Sequence, residues 1–374
     1  MTEEAHRTQS TAPRAELPTA EGEAVDTAEV RQDERFDEAK LAAYLRGRLP
    51  GSERPLRVRQ FPGGHANLTY LLVYGDGADA LEYVMRRPPL GPVARGAHDM
   101  KREYRALSAL WQAFPKAPRA FVLCEDPEIL GADFFVMERR HGLVVRREVP
   151  PEFGSGSDPV ANRKLSETVI HTLAELHDVD PAAVGLDGLG RPEGFLERQV
   201  RGWADRYERA KVRAHPIADE LIRWLDANLP SSPAPTLLHN DWKLDNMAVA
   251  FDDPGRCVAV YDWDMCTVGD PLCDLGTLLC SWLDRGEQGL GPSAMPTQTE
   301  GFMSRAEAAA RYGERRGLDL VTLPYYEVFG LFKMAVVLLQ IYVRYHRGQT
   351  QDPRFAGMER VAEELFERAA SRRG

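Results

Sequence analysis

The sequence predicts an α+β fold of two lobes, a β-rich N-terminal lobe and a larger helical C-terminal lobe. Short apolar runs at residues 56–60, 68–74, 80–86, 120–123 and 134–137 have strand length and are punctuated by Gly and Pro. Beyond residue 140 the apolar positions recur at helical spacing, as at Leu165, Val169, Leu173 and Leu176. The 374 residues are 43% hydrophobic and 28% charged, which suits one large domain or two smaller ones.

Residues 1–35 hold nine acids, four bases and almost no large apolar side chain, so a disordered tail is expected there. Residues 36–49 read as a helix. Two strands, 56–60 and 68–74, flank a Gly-Gly turn, and Pro88 and Pro89 stop the third. A helix at 100–114 and two strands complete a first lobe of residues 36–138. The second lobe, residues 139–374, carries helices at 161–177, 195–208, 218–229, 272–282, 304–315, 325–344 and 358–368. One short strand, 258–261, interrupts them. Two lobes predict a cleft between them, the preferred place for a ligand.

Composition excludes several classes. The formal charge is −10, half of it in the tail, which argues against a broadly basic nucleic-acid binder. The first residues lack a basic start followed by an apolar core, so no secretory signal is expected. The apolar stretch 328–343 is interrupted by Gly330, Lys333 and Gln340, and reads as a buried helix, not a membrane span. Five cysteines form no CxxC pattern, which points to a reducing cytoplasm. Nothing in the pattern fixes the oligomeric state.

Three segments carry chemistry. Gly63 and Gly64 sit between two strands, where backbone N–H groups could cradle phosphates. The segment fits neither the dinucleotide fingerprint nor the Lys-bearing phosphate loop. His239-Asn240-Asp241-Trp242-Lys243-Leu244-Asp245-Asn246 and Tyr261-Asp262-Trp263-Asp264 each follow a short apolar run. Asp241, Asn246 and Asp262 together have a phosphoryl-transfer reading. Asp241 would orient a hydroxyl and accept its proton, while Asn246 and Asp262 would hold Mg²⁺ against nucleotide phosphates. Hard oxygen donors suit Mg²⁺, and His239 has no spaced His or Cys set to build a zinc site.

On these residues the sequence resembles the aminoglycoside phosphotransferase and choline kinase superfamily. It resembles in particular bacterial phosphotransferase-like proteins related to the kinase-like domain of some acyl-CoA dehydrogenase fusions. The likeness runs over about residues 38–350 and rests on HNDWKLDN paired with YDWDMCTVGDPLCDLG. FPGGHANLTYLL, LEYVMRRPPLG and HDMKREYRAL add three matches in order. The resemblance implies a two-lobed protein-kinase-like fold and ATP and Mg²⁺ as cofactors. It places Gly63 and Gly64 in the nucleotide-covering loop and Arg86 at the phosphate-contacting base. It makes Glu103 the helix carboxylate that orients this base, and puts Phe135 and Met137 at the adenine-facing hinge. Asp241 matches the catalytic base, and Asn246 and Asp262 the magnesium ligands.

Arg86 departs from the Lys of many relatives, and an Arg fork is not equivalent to an ammonium; Arg87 is the alternative phosphate contact. No HRD, DFG or APE segment is present, which disfavours protein substrates. The expected activity is therefore ATP-dependent transfer of a γ-phosphoryl group to a small hydroxylated molecule. The resemblance points to a hydroxyacyl or hydroxy-acid acceptor, with an aminoglycoside or amino alcohol as the other acceptor class. A catalytically inactive nucleotide-binding scaffold is the rival reading. Lys243 reads either as a neutraliser of the transferring group or as a solvated lysine. His239 reads as structural, Asp270 and Asp274 as helix-bracing acids, and the cysteines as small core residues.

Overall fold

The computed structural model describes residues 27–62, 67–89, 99–289 and 294–373. Gly63 and Gly64 lie outside these residues. The chain divides into two compact units, one of residues 1–95 and 121–139, the other of 96–120 and 140–374.

The first unit is built on a five-stranded sheet. Its strands are β1 (Leu56–Gln60), β2 (Leu68–Tyr74), β3 (Leu81–Arg87), β4 (Ala120–Cys124) and β5 (Phe134–Glu138), ordered β1-β2-β3-β5-β4. Strand β2 pairs antiparallel with both β1 and β3, and β3 with β5. Side chains alternate across such a sheet, so its two faces differ. Tyr70, Leu72, Tyr83, Met85, Phe134 and Val136 share a core with Leu41 and Leu45 of helix α1 (Glu38–Leu45). Leu71 and Val73 lie on the opposite face with Ala80 and Phe61. Asp37 caps α1 by accepting the Lys40 N–H at 2.9 Å.

The expected tail of residues 1–35 does not extend through its last nine residues as free chain. Ala28 bridges Gln60 in antiparallel fashion, and Val30 is buried. The Arg31 N–H donates to Gln60 Oε1 at 3.0 Å, and the Gln60 amide donates to Glu34. Arg31 pairs with Glu34 and Glu29 with Arg59 of β1, so the segment is tied to the sheet while its charges stay at the surface.

Helix α2 (Met100–Leu110) groups with the second unit, although it was expected in the first. Asp99 caps it by accepting the N–H groups of Lys101 and Arg102, each at 3.1 Å. Arg102 Nη1 then donates to the carbonyls of Leu189 and Cys266, at 3.2 and 3.1 Å. Helix α3 (Pro127–Leu130) is a single turn of the first unit.

The second unit is mostly helical. It holds α4 (Pro159–His177), α5 (Phe195–Ala210), α6 (Pro216–Ala227), α7 (Pro271–Ser281), α8 (Arg305–Arg316), α9 (Leu323–His346) and α10 (Met358–Ser371). Five short strands supplement them: β6 (Leu143–Val144), β7 (Thr236–Leu238), β8 (Met247–Ala250), β9 (Asp253–Val260) and β10 (Thr267–Gly269). They form a β6-β8-β9 sheet and a β10-β7 pair. The expected strand 258–261 is thus the end of a longer strand, β9. Helices α7 and α9 cross closely because both carry glycine at the crossing. A Cβ on Gly276 would lie 2.6 Å from the Tyr326 carbonyl oxygen, and one on Gly330 would lie 2.7 Å from Cys280 Sγ. Helix α9 alone among the described helices is long and apolar enough to cross a membrane by length and composition. Most of that apolar surface is buried, with Tyr326, Phe329, Phe332, Val336 and Leu339 in the core. All five cysteines are buried and unpaired, and burial pushes the thiols of Cys257 and Cys280 up to about 12.

Candidate active site

Strand β7 runs directly into His239, Asn240 and Asp241, and β9 into Tyr261 and Asp262. Two residues there take left-handed backbone, Asn240 at φ +67° and Asp262 at φ +67°. Such a conformation is strained outside glycine and persists only where surrounding contacts impose it. At Asn240 the contacts are complete. Its N–H donates to Asp274 Oδ1 at 2.7 Å, and its side-chain amide to the Met265 carbonyl at 2.9 Å. Its own carbonyl accepts from Lys333 Nζ at 3.0 Å.

Asp274 is the fixed point beneath this loop. It lies fully buried on α7, and its Oδ2 accepts the His239 N–H at 2.7 Å. His177 Nε2 approaches the same oxygen at 3.3 Å, and His177 Nδ1 meets the Tyr312 hydroxyl at 2.6 Å. Burial alone would raise the Asp274 pKa. The hydrogen bond and charge of His177, together with the His239 N–H, outweigh it and hold the carboxyl below its ordinary value. Asp270, by contrast, caps α7 at the Leu272 N–H and accepts the Tyr326 hydroxyl at 2.6 Å. Asp270 therefore braces its helix as expected, whereas Asp274 braces the loop that carries Asp241.

His239 links the two acid-bearing segments. Its Nδ1 accepts the Asp241 N–H at 3.3 Å, which leaves Nε2–H to donate to the Tyr261 carbonyl at 2.8 Å. The Tyr261 N–H in turn donates to the Asn246 carbonyl at 2.8 Å. Asp241, Asn246 and Asp262 are thereby gathered in one place through the backbone.

The Asp241 carboxylate is held on one oxygen. Asn246 Nδ2 donates to Asp241 Oδ2 at 2.8 Å and to the Asp241 carbonyl at 2.8 Å. Lys243 Nζ reaches the same Oδ2 at 3.0 Å, and the Asp241 side chain is 36% exposed. No partner for Asp241 Oδ1 occurs among the described residues. Burial acts to lower the Lys243 pKa, but the carboxylates of Asp241 and Asp245 prevail and raise it. Lys243 is therefore an ion-pair partner of Asp241 and no solvated loop lysine.

Asn246 and Asp262 offer oxygen donors, the kind a hard cation takes, although no cluster of three or more His, Cys, Asp or Glu that could hold a metal occurs among the described residues. Asn246 turns its NH₂ toward Asp241, which aims its amide oxygen away from it, and Asp262 follows two residues after Val260 at the end of β9. Glu103, on α2, is fully buried, and its Oε1 accepts the Trp263 N–H at 3.3 Å, immediately after Asp262.

In the first unit the register separates the two adjacent arginines. Arg86 pairs with Thr69 and Phe135, and Met137 pairs with Val84, so Arg86, Phe135 and Met137 share the sheet face of Leu71 and Val73. Arg87 points to the opposite face. There its guanidinium donates to the carbonyls of Glu34 and Leu130, at 3.1 and 3.4 Å. It also lies 5.2 Å from the Phe36 ring and 5.4 Å from the Tyr70 ring. Arg87 is consumed by the core of its own unit.

Sequence reasoning missed the bond from Lys333 to the Asn240 carbonyl and gave Asp274 only a helical role. An acid inside the apolar run Leu272-Cys273-Asp274-Leu275 was the available signal, since an unpaired carboxylate would not be buried there.

Residues 57–318 match the phosphotransferase enzyme family, and the chain belongs to it. Among proteins of like sequence, acyl-CoA dehydrogenase family member 11 of Gallus gallus is 33% identical over 338 residues. That match covers 85% of this chain but only 41% of the relative's length. Among solved structures, a Ralstonia eutropha protein named as an aminoglycoside phosphotransferase superposes with a TM-score of 0.77 at 28% identity, over 90% of this chain and 98% of that one. Choline kinase from Cryptosporidium parvum shares the fold with a TM-score of 0.62 at 11% identity, over 90% and 95% of the two chains. The fold is accordingly the two-lobed, mixed α+β, protein-kinase-like fold that the motifs implied.

Proposed function

We propose that this phosphotransferase moves the γ-phosphoryl group of ATP onto a hydroxyl of a small molecule, with Asp241 as the base. The observation that carries the reading is the divided Asp241 carboxylate: Oδ2 is fixed by Asn246 and Lys243, while Oδ1 has no partner among the described residues. A carboxylate so oriented can align an acceptor hydroxyl and take its proton as the O–P bond forms. Asn246 and Asp262 would hold Mg²⁺, which when bound would draw charge from the nucleotide phosphates. Lys243 places a second positive charge beside the transferring group, and Arg86 is the proposed phosphate contact on the first unit's sheet. Phe135 and Met137, on the same sheet face, are proposed to meet the adenine. Glu103 is proposed as the carboxylate that orients Arg86, and Gly63 and Gly64 as the loop covering the phosphates.

A hydroxyacyl or hydroxy-acid acceptor is supported by the acyl-CoA dehydrogenase name of the chicken relative. The five buried, unpaired thiols support a reducing cytoplasm as the working compartment. The test is a γ-labelled ATP transfer screen across hydroxyacyl-CoAs, hydroxy acids, amino alcohols and aminoglycosides, with and without Mg²⁺. Label should move to a hydroxyacyl or hydroxy-acid compound only when Mg²⁺ is present. Saturable ATP binding with no label on any acceptor would instead favour a nucleotide-binding scaffold.

A further inference from the structure

Lys333 is a cation without an ion-pair partner among the described residues. It stands in the middle of the apolar helix α9, half-buried, and desolvation lowers its pKa below that of an ordinary lysine. An ammonium has three donors. One is taken by the Asn240 carbonyl at 3.0 Å. Among the described residues no carboxylate lies within ion-pairing distance of Lys333; Asp241 and Asp274 act on it only as more distant charges.

The surroundings relieve this only in part. Lys333 Nζ lies 5.7 Å from the ring of Trp203, a buried residue of α5. The same ring carries Arg206, whose guanidinium carbon is 4.7 Å from its centroid. Burial lowers the Arg206 pKa, and the like charge of Arg209 lowers it further. Two cations therefore share one indole, and Lys333 is the one tied to the residue immediately before Asp241.

A desolvated cation without a counter-ion is unfavourable, and a ligand anion is the group that completes it. A compound whose hydroxyl reaches Asp241 brings its neighbouring substituents to Asn240 and hence to Lys333. A cationic substituent would meet like charge there, which acts as selection against it. We propose that Lys333, seated against Trp203, forms an acceptor subsite for an anionic group, carboxylate or phosphate, borne by the hydroxyl compound. Lys333 thus sets the choice between acidic acceptors and the amino alcohols or aminoglycosides. The inference rests on the phosphotransferase reading above and narrows its acceptor class.

The experiment compares acceptors that differ in charge: β-hydroxybutyrate with its methyl ester, glycerophosphate with glycerol, and choline. Each is assayed with labelled ATP and Mg²⁺ on the wild type, Lys333→Gln and Lys333→Arg. Gln retains a donor for the Asn240 carbonyl without the charge, so loop support and charge are separated. The wild type should favour one acid over its neutral partner by about tenfold or more in kcat/KM. Lys333→Gln should bring that ratio to about one, and Lys333→Arg should keep most of it. Preference confined to the glycerophosphate pair assigns the subsite to phosphate, and preference confined to the other pair assigns it to carboxylate. An unchanged ratio in Lys333→Gln, or a wild type that favours choline, would overturn the subsite. Titration calorimetry with the same compounds separates this from failure of the transfer reading. Acid binding that depends on Lys333 without any label transfer keeps the subsite and removes the kinase. No acid binding to the wild type removes the subsite.

Discussion

Asp274 receives the backbone N–H of Asn240 at 2.7 Å across 34 residues of sequence, and so fixes from below the strained residue that precedes Asp241. With the His239 N–H on its other oxygen, this one buried carboxylate satisfies two consecutive loop amides. Replacing Asp274 by Asn turns one acceptor oxygen into a donor group facing an amide. We expect a stability loss of about 3 kcal/mol in chemical denaturation, the usual scale for breaking a buried charged network. The loss should depend on pH. The folded Asp274 pKa is depressed below 3.8, so its contribution is complete above about that pH and disappears as pH falls through the lower folded value. The gap between wild type and Asp274→Asn should be widest near neutrality and narrow in acid. A gap that stays constant into acid would contradict the assigned ionisation.

Arg86 and Arg87 are neighbours with opposite expected phenotypes. Arg87→Ala removes a buried guanidinium that donates to the Leu130 carbonyl and to the Glu34 carbonyl, which keeps the Tyr70 hydroxyl at 3.0 Å. It should destabilise the protein by about 2–3 kcal/mol in denaturant titrations. Arg86→Ala also removes a buried side chain, but it should weaken ATP binding by calorimetry where Arg87→Ala does not. The reverse pattern would place the phosphate contact on Arg87.

Asp262→Ala should weaken nucleotide binding measured with Mg²⁺ by about 100-fold, and nucleotide binding measured in EDTA much less. Asn246→Ala should do the same and also leave the Asp241 carboxylate held by Lys243 alone, without its 2.8 Å amide bond. Equal effects with and without Mg²⁺ would remove the metal role from both residues.

The sequence was legible where information is local. The strands at 56–60 and 68–74 match the spacing of their apolar residues. The Asp241 and Asn246 segment is bonded to the Tyr261 segment that leads into Asp262. What escaped depends on distant partners. Helix α2 joins the second unit because Arg102 reaches carbonyls 87 and 164 residues away, and an amphipathic stripe does not specify its partner. Strands β6, β7, β8 and β10 have two to four residues, too few to display a period of two. Residues 27–35 read as tail because their charges look solvated, yet Arg31 and Glu34 engage Gln60. Lys333 showed only as a charge inside an apolar run, since its partner is a backbone carbonyl 93 residues away and a carbonyl carries no residue identity.

The central claim is that Asp241 takes the acceptor proton, and Asp241→Asn tests it most directly. Asn preserves size and the capacity to accept from Asn246 while removing the base. Single-turnover transfer of labelled phosphate should fall by about 10²–10⁴-fold, with ATP binding by calorimetry changed little. Transfer at the wild-type rate in Asp241→Asn would contradict the account.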